Sequence, residues 1–366
     1  MDNSEEQEII LSTVREFAEN ELKPLASKID SDALIPPDLF QKLASIGLFG
    51  ILCSKGYGGA GSPFETMLKV VSEIGRASAS VALTCLNHNL VCSLLDKFGS
   101  EEHKSRLLEL ASGKKLGAVS ISGDLYDSAR IPSLPIKNGH IIDGTERYLV
   151  NGSFADVCII LCNSGNNIEF LVVEKGIEGL VQGKSIGLLG VRGSGIAHVN
   201  FHNAKVASGS ILGTKENTPM IVQLFQEGVW LGMSSIALGI AKAALDAAVR
   251  YANERIQFGK PIAKFEAIQE MVSIITNGIQ STSSVLGRIS KMKDQGTSIL
   301  SEAAGAKVAA TTMATKSAKL ALKIHGGYGF IKDHPVERFV RDAKAIEILG
   351  GRNSELQMEM ARKILT

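Results

Sequence analysis

Neither sign of charge is in excess in this sequence. Its 366 residues carry 39 lysines and arginines against 38 aspartates and glutamates, a formal net charge of +1, with no long basic or acidic block. A nucleic-acid partner is therefore not expected, because phosphate backbones are held by clustered cations. The opening stretch MDNSEEQEII is acidic and lacks the charged-then-apolar layout of a secretory leader. No apolar run approaches the length of a membrane span, so no membrane partner is expected and the reading is cytoplasmic. Cys53, Cys85, Cys92, Cys158 and Cys162 are odd in number and lack paired metal spacing. Reduced structural thiols are the simpler account of them. His325 and His334 have no second ligand at a helical spacing, so no metal site is expected.

What is present is apolar. Hydrophobic residues make up 45% of the chain, enough for a large core and more than one domain. Three zones follow from the hydrophobic period. Residues 1–115 read as a helical domain: Ile10, Val14 and Phe17 share a helical face, Pro24 marks a stop, and SPFE (Ser62 to Glu65) offers a serine N-cap with a capping box. Residues 116–213 change period. HIIDGTERYLVNG, ADVCIILCN, IEFLVVEKG and AHVNFHNAKV are short β-rich runs with Asp-Gly and Asn-Gly punctuation, which predicts an antiparallel β domain. Residues 214–366 return to helix. Ala304, Val308, Thr311, Thr315, Ala318 and Leu322 form one seam. Gly228, Gly232, Ser235 and Gly239 form another, of small residues that let a second backbone come close. The expected fold class is α+β: an N-terminal helical domain, a middle β domain and a C-terminal four-helix bundle.

Two glycine clusters need separate treatment. GYGGAG, Gly56 to Gly61, matches the spacing of a dinucleotide-binding loop, but no strand precedes it and no βαβ units follow. A plain loop is the better reading. KIHGGYGF, Lys323 to Phe330, ends the long seam and can be a glycine C-cap alone. NERIQFGKPIAKFEAIQ adds Arg255 as a fixed cation and Phe258 as an aromatic face, at what otherwise reads as an exposed helix end.

These stretches occur in a telling order. FAENELKP, LASIGLFGI…GYGGAG, LGVRGSG, YANERIQFGKPIAKFEAIQ and KIHGGYGFIKDHPVERFVRDAK together resemble the acyl-CoA dehydrogenase family over essentially the whole chain. The resemblance implies FAD held between subunits of a homo-oligomer, a dimer or tetramer. It further implies that Arg255, Phe258, Lys323, Gly326 and Gly327 reach the cofactor of a neighbouring subunit. A guanidinium can fork onto a pyrophosphate, and glycines let backbone N–H groups approach it. Several positions depart from the family pattern. Lys323 stands where a glutamine is usual, and Glu266 replaces another glutamine. The W-I-T/S-N stretch beside the flavin reads Tyr148 to Asn151, with Val150 at the hydroxyl position. The T/S-E-P-x-A-G-S-D loop is reduced to SISGDLYDS, leaving Ser120 and Ser122 as candidate flavin contacts.

The reaction implied by the resemblance needs a carboxylate to take the acyl α-proton. One family position for it falls on Gly350 and the other on Val229, followed here by Trp230 where an arginine is common. Both positions lack a base. Glu227 lies about 200° round the helix from Val229 and is read as solvated or structural, as is Glu347. His88 is placed in the acyl pocket, either as a base for different chemistry or as a hydrogen-bonded core histidine. The expected function is FAD-dependent processing of a small acyl group on a CoA or acyl carrier protein thioester. Electron-transfer flavoprotein or oxygen is the acceptor. A non-catalytic thioester-binding or assembly partner is one alternative; an ordinary dehydrogenase with an unrecognised base is the other.

Overall fold

The computed structural model describes residues 3–120, 131–165 and 167–365. Helices α1 (Asn3–Phe17), α2 (Lys23–Asp32), α3 (Pro37–Ser45), α4 (Phe64–Ala77) and α5 (Ala79–Phe98) build the N-terminal part, with short helices α6 (Glu101–Lys104) and α7 (Leu107–Ala111) leading out of it. Pro24 does not stop the first helix. A π-helical turn at Ala18–Leu22 absorbs the proline in the first turn of α2, and the chain stops only at Ala33, in the left-handed region at φ 52°. SPFE does start α4, but no side chain of that stretch caps it. The cap comes from Asp294, whose two carboxylate oxygens accept from the Phe64 and Glu65 N–H groups at 2.8 and 3.0 Å. Helix α5 is buried almost all round, as an apolar helix at the centre of a domain must be. GYGGAG is a loop around a short 3-10 turn.

The β domain comprises β1 (Gly117–Val119), β2 (Ile131–Ile136), β3 (Gly139–Leu149), β4 (Val157–Ser164), β5 (Asn167–Glu174), β6 (Leu180–Ser185) and β7 (Ala197–Ala207). Its order is β1-β4-β2-β3-β7-β6, with β5 on the other edge of β4. Two pairings depart from the antiparallel expectation: β1 and β2 both run parallel to β4. Each covers a different length of one edge of β4, so two short strands share it. Asp143-Gly144 is not a turn either; β3 runs through it with a shift in register, while the hairpin turns at Lys137-Asn138. Alternation along β4 and β5 divides their side chains between two cores. Val157, Ile159, Leu161, Phe170 and Val172 face the helices; Cys158, Ile160, Cys162, Leu171 and Val173 face the interior of the β domain.

The C-terminal part holds α8 (Thr218–Glu254), a two-residue hairpin pair β8 (Ile256–Gln257) and β9 (Lys260–Pro261), then α9 (Glu266–Asp294), α10 (Leu300–His325), α11 (Val336–Ile348) and α12 (Asn353–Leu365). Contrary to expectation, α8 is long and apolar enough to cross a membrane, yet 89% of its apolar window is buried inside the protein, as a core helix. Its small-residue seam works as expected. A Cβ on Gly239 would stand 2.3 Å from the Ser72 carbonyl oxygen of α4, and one on Gly232 would stand 2.3 Å from Leu86 of α5.

One junction joins all three parts. Arg341 of α11 forks onto Asp30 at 2.6 and 2.9 Å and also donates to Glu337 and to the Leu189 carbonyl. Beside it, buried Asp342 accepts from the Val191 N–H at 2.7 Å. Burial raises the Asp342 carboxyl from its ordinary 3.8 to about 6, against the opposing pull of that hydrogen bond and of Arg338. An acid held protonated in the fold stabilises it fully below the unfolded value, and that contribution is lost as pH rises through about 6. Asp342→Asn keeps the acceptor without the charge. Urea unfolding at pH 4 and pH 7 should show the variant gaining about 1–3 kcal/mol on the wild type between the two; an unchanged difference would show that Asp342 ionises freely in the fold.

Candidate active site

The motif residues assigned to the cofactor's phosphates are brought together. Arg255 caps the end of α8, and Gly326 and Gly327 follow the end of α10, and all three border an open depression of about 540 Å³. Tyr328 borders it too, with the Arg255 guanidinium 5.5 Å from its ring centre. Gly326 has φ 58°, and nothing lies within 4 Å of where a Cβ on Gly326 or Gly327 would stand, so both backbones face open space. Lys323 and Glu266 are exposed nearby in sequence, on the last turn of α10 and the first of α9. Phe258 and Gly259 form the tip of the β8–β9 hairpin, both at positive φ, and the Phe258 ring is 90% exposed.

The flavin-ring candidates lie on the β domain. Tyr148 is half exposed, its ring edge-on to His198 at 5.8 Å. Val150 is fully buried in the main core. Ser120 is buried, bridged to Leu149, and its hydroxyl bonds the Glu146 carboxylate. Ser122 lies outside the described residues. Asn151, at φ 64°, donates to the Thr84 and Gly117 carbonyls and leaves its own buried side-chain oxygen without a partner.

Gly350 and Val229, the two positions that the resemblance assigns to a base, meet in space. The atoms nearest a Cβ on Gly350 are Val229 Cγ1 at 2.8 Å, Met233 Cγ at 3.6 Å and Trp230 Cδ1 at 3.8 Å, none of them a base. Trp230 Nε1 donates to the Gly350 carbonyl at 2.7 Å. Sequence reasoning missed the other side of this turn. Buried Lys307 of α10 donates to the Glu347 carbonyl at 2.7 Å, to the Asn353 side chain at 3.0 Å, and to the Gly351 carbonyl. Burial pushes its ammonium down to about 8, with Glu347 and Glu355 opposing. A lysine spaced among Ala303, Ala310 and Ala314 on the buried face of a helix was the available signal.

Two acids nominated as alternatives are occupied. Glu227 is buried and accepts from Gln223 and the Ile299 N–H on one oxygen and from Lys293 at 2.8 Å on the other. It is structural and not solvated. Glu347 accepts from Lys344 and Thr315. His88 is buried with both ring nitrogens hydrogen-bonded, the geometry of a core histidine. Its Nδ1 accepts from the Gly117 N–H at 3.0 Å, so the Nε2–H donates to the Leu110 carbonyl at 3.1 Å, and Phe49 packs edge-on against the ring. Burial lowers its pKa to about 4, and the ring is neutral. The large cavity lies beside it in sequence: about 800 Å³, walled by Leu90, Ser93, Leu94 and Lys97 of α5, by Phe225 and Glu227 of α8, and by Lys293. Among the described residues no group of three or more His, Cys, Asp or Glu is placed to hold a metal.

Residues 4–114 match the family model for the acyl-CoA dehydrogenase N-terminal domain, and residues 231–365 that for the C-terminal domain. The chain is 32% identical to the acryloyl-CoA reductase (NADH) of Anaerotignum propionicum, covering 98% of this chain and 94% of that one. It is 32% identical to the short-chain specific acyl-CoA dehydrogenase of Clostridium acetobutylicum, covering 98% of each. Butyryl-CoA dehydrogenase from Megasphaera elsdenii superposes with a TM-score of 0.93 at 27% identity, over 100% of this chain and 99% of that one. The chain belongs to the acyl-CoA dehydrogenase family of FAD-dependent oxidoreductases. The residues present fit that cofactor: a fixed guanidinium and two bare glycine backbones face the same open depression. Arg255→Ala should weaken FAD retention at least tenfold and Arg255→Lys less, measured as flavin absorbance surviving gel filtration; full retention in the Ala variant would remove Arg255 from the site.

Proposed function

We propose that this chain acts with FAD on a small acyl group carried as a thioester, on CoA or on an acyl carrier protein, without the standard glutamate base. The observation that carries the reading is the packed contact of Val229 and Trp230 with Gly350, where the two usual base positions meet. The cavity walled by α5 and α8 receives the thioester arm, and exposed Lys97 on its wall suits a phosphate-bearing carrier. FAD, when bound, supplies the acceptor for the hydrogen leaving the acyl chain. Electron-transfer flavoprotein or oxygen then takes the electrons. Relatives named above are a reductase and a dehydrogenase; the reading takes the oxidative direction. The same closed contact favours a second reading, a non-catalytic thioester-binding or assembly partner of this fold.

The assembly in this reading is a cytoplasmic homo-oligomer, a dimer or tetramer. Its support is an exposed apolar patch next to the phosphate depression: Phe258, Phe330 at 78% exposure, Tyr328 and Ile331. Such a patch on a single chain calls for a covering surface. Sedimentation of the FAD-loaded protein at micromolar concentration should give at least a dimer; a monomer retaining flavin would contradict it.

A positioned general base contributes about 10²–10⁴ in rate. Anaerobic mixing with butyryl-CoA should therefore bleach the bound flavin slower by that factor in wild type than in Val229→Glu. Gly350→Glu should not rescue, since that backbone sits at φ 71° and its Cβ would meet Val229. Rapid bleaching of wild type would reveal a base elsewhere and restore ordinary dehydrogenase activity.

A further inference from the structure

A further cleft, of about 340 Å³, lies where α1, α2, α4, α8 and the start of α11 converge. It shares no lining residue with the phosphate depression or with the cavity between α5 and α8. Its apolar lining is small: Ala18, Ala77, Ala243 and Ala247, with one ring, Phe339. The rest is charged, six cations against four carboxylates. Most of those carboxylates are already taken. Asp246 accepts from Arg76 at 2.6 Å, Glu19 pairs with Lys23, and Glu73 accepts at 3.1 Å from Lys242, outside the cleft. Arg15 is answered at 2.9 Å by Glu8, also outside it. Arg250 of α8, Lys332, and Arg338 of α11 are left over. Among the described residues none of the three forms an ion pair with a carboxylate, and only exposed Asp333 remains in the cleft to oppose them. Arg338 is half-buried, its guanidinium 5.5 Å from the ring centre of Phe339, so one of these cations is held in place.

We propose that this cleft binds a small organic phosphate, a phosphate ester of mononucleotide size, with its anion on Arg250, Lys332 and Arg338 and its organic body against the alanines and Phe339. Unpaired cations beside an apolar wall focus their field on an incoming anion. Two guanidiniums suit a phosphate, because each presents a planar fork of donors. The volume is of the order that small-molecule sites occupy. A ligand held there bridges α1 and α4 to α8 and α11, and by linkage it stabilises the folded chain. The site is independent of the thioester reading.

The probe is AMP, titrated calorimetrically into the FAD-loaded protein at low salt, with inorganic phosphate and adenosine as its two halves. AMP should bind saturably, about tenfold or more tighter than inorganic phosphate of similar charge, because only AMP fills the apolar part of the cleft. Adenosine, which has no anion for the cations, should bind about tenfold or more weaker than AMP. Arg250→Gln and Arg338→Gln should each weaken AMP binding about tenfold or more without loss of flavin. Arg250 is exposed, so its variant decides the matter if the Arg338 variant does not fold. Lys97→Gln, on the wall of the other cavity, should leave AMP affinity within about twofold. AMP should also raise the unfolding temperature of wild type and not of Arg250→Gln. The inference is overturned by no saturable AMP binding, by inorganic phosphate binding as tightly as AMP, or by wild-type affinity in Arg250→Gln. Loss of AMP binding in Lys97→Gln alone would put the nucleotide in the thioester cavity and overturn it equally. Each of these failures leaves the thioester reading standing.

Discussion

The structure depends on how closely α8 approaches its neighbours. A helix buried on all sides has no face to spare for polar groups, and here it also has almost no side-chain bulk at its contacts. Gly239 sits against the backbone of α4, and Gly228 and Gly232 take the leucines of α5. That spacing brings the N-terminal and C-terminal helices into one core, to which the β domain adds one face of β4 and β5. Any larger side chain along this seam would separate the walls of the cavity and also move the turn at Gly350, because both are referred to the same helix.

Several buried charges stand at the edges of that core with partners in place. Glu227 and Lys293 join the first turns of α8 to the end of α9, and the neighbouring Asp294 caps α4. Removing one partner of such a pair leaves an uncompensated charge, which costs far more than the pair itself contributes. These contacts specify which helix end meets which. Lys307 does the same for a loop: three acceptors from three residues converge on one ammonium, and the turn between α11 and α12 is defined by it.

Much of this was legible in the sequence, in proportion to how local its cause is. The three zones follow from period alone, and the small-residue seam of α8 foretold its close contacts. Gly350 and Val229, the two positions to which the family resemblance assigns a base, are far apart in the sequence and neighbours in the fold. Other features depend on partners far along the chain. Nothing in SPFE indicates a cap supplied by Asp294, more than two hundred residues away. Asp-Gly serves equally in a turn and in a bulge, and only pairing with β7 decides between them for Asp143-Gly144. His88 was read on the resemblance to a helix that lines the acyl pocket, or as a core histidine; the side of α5 it occupies is set by Phe49 and the Leu110 carbonyl. Whether a lysine in an alanine-rich helix is solvated or buried is likewise decided by its acceptors.

The tip of the β8–β9 hairpin has a thermodynamic consequence. Phe258 holds a left-handed backbone conformation, which costs a side-chain-bearing residue about 1–3 kcal/mol, and it places its ring in water. Neither is a resting preference of the isolated chain. The strand leading to that tip begins next to Arg255, so a surface packed on the ring would also restrain the segment that carries the cation at the open depression. A surface packed on the ring and a ligand in the depression would then be linked equilibria, each raising the apparent affinity of the other.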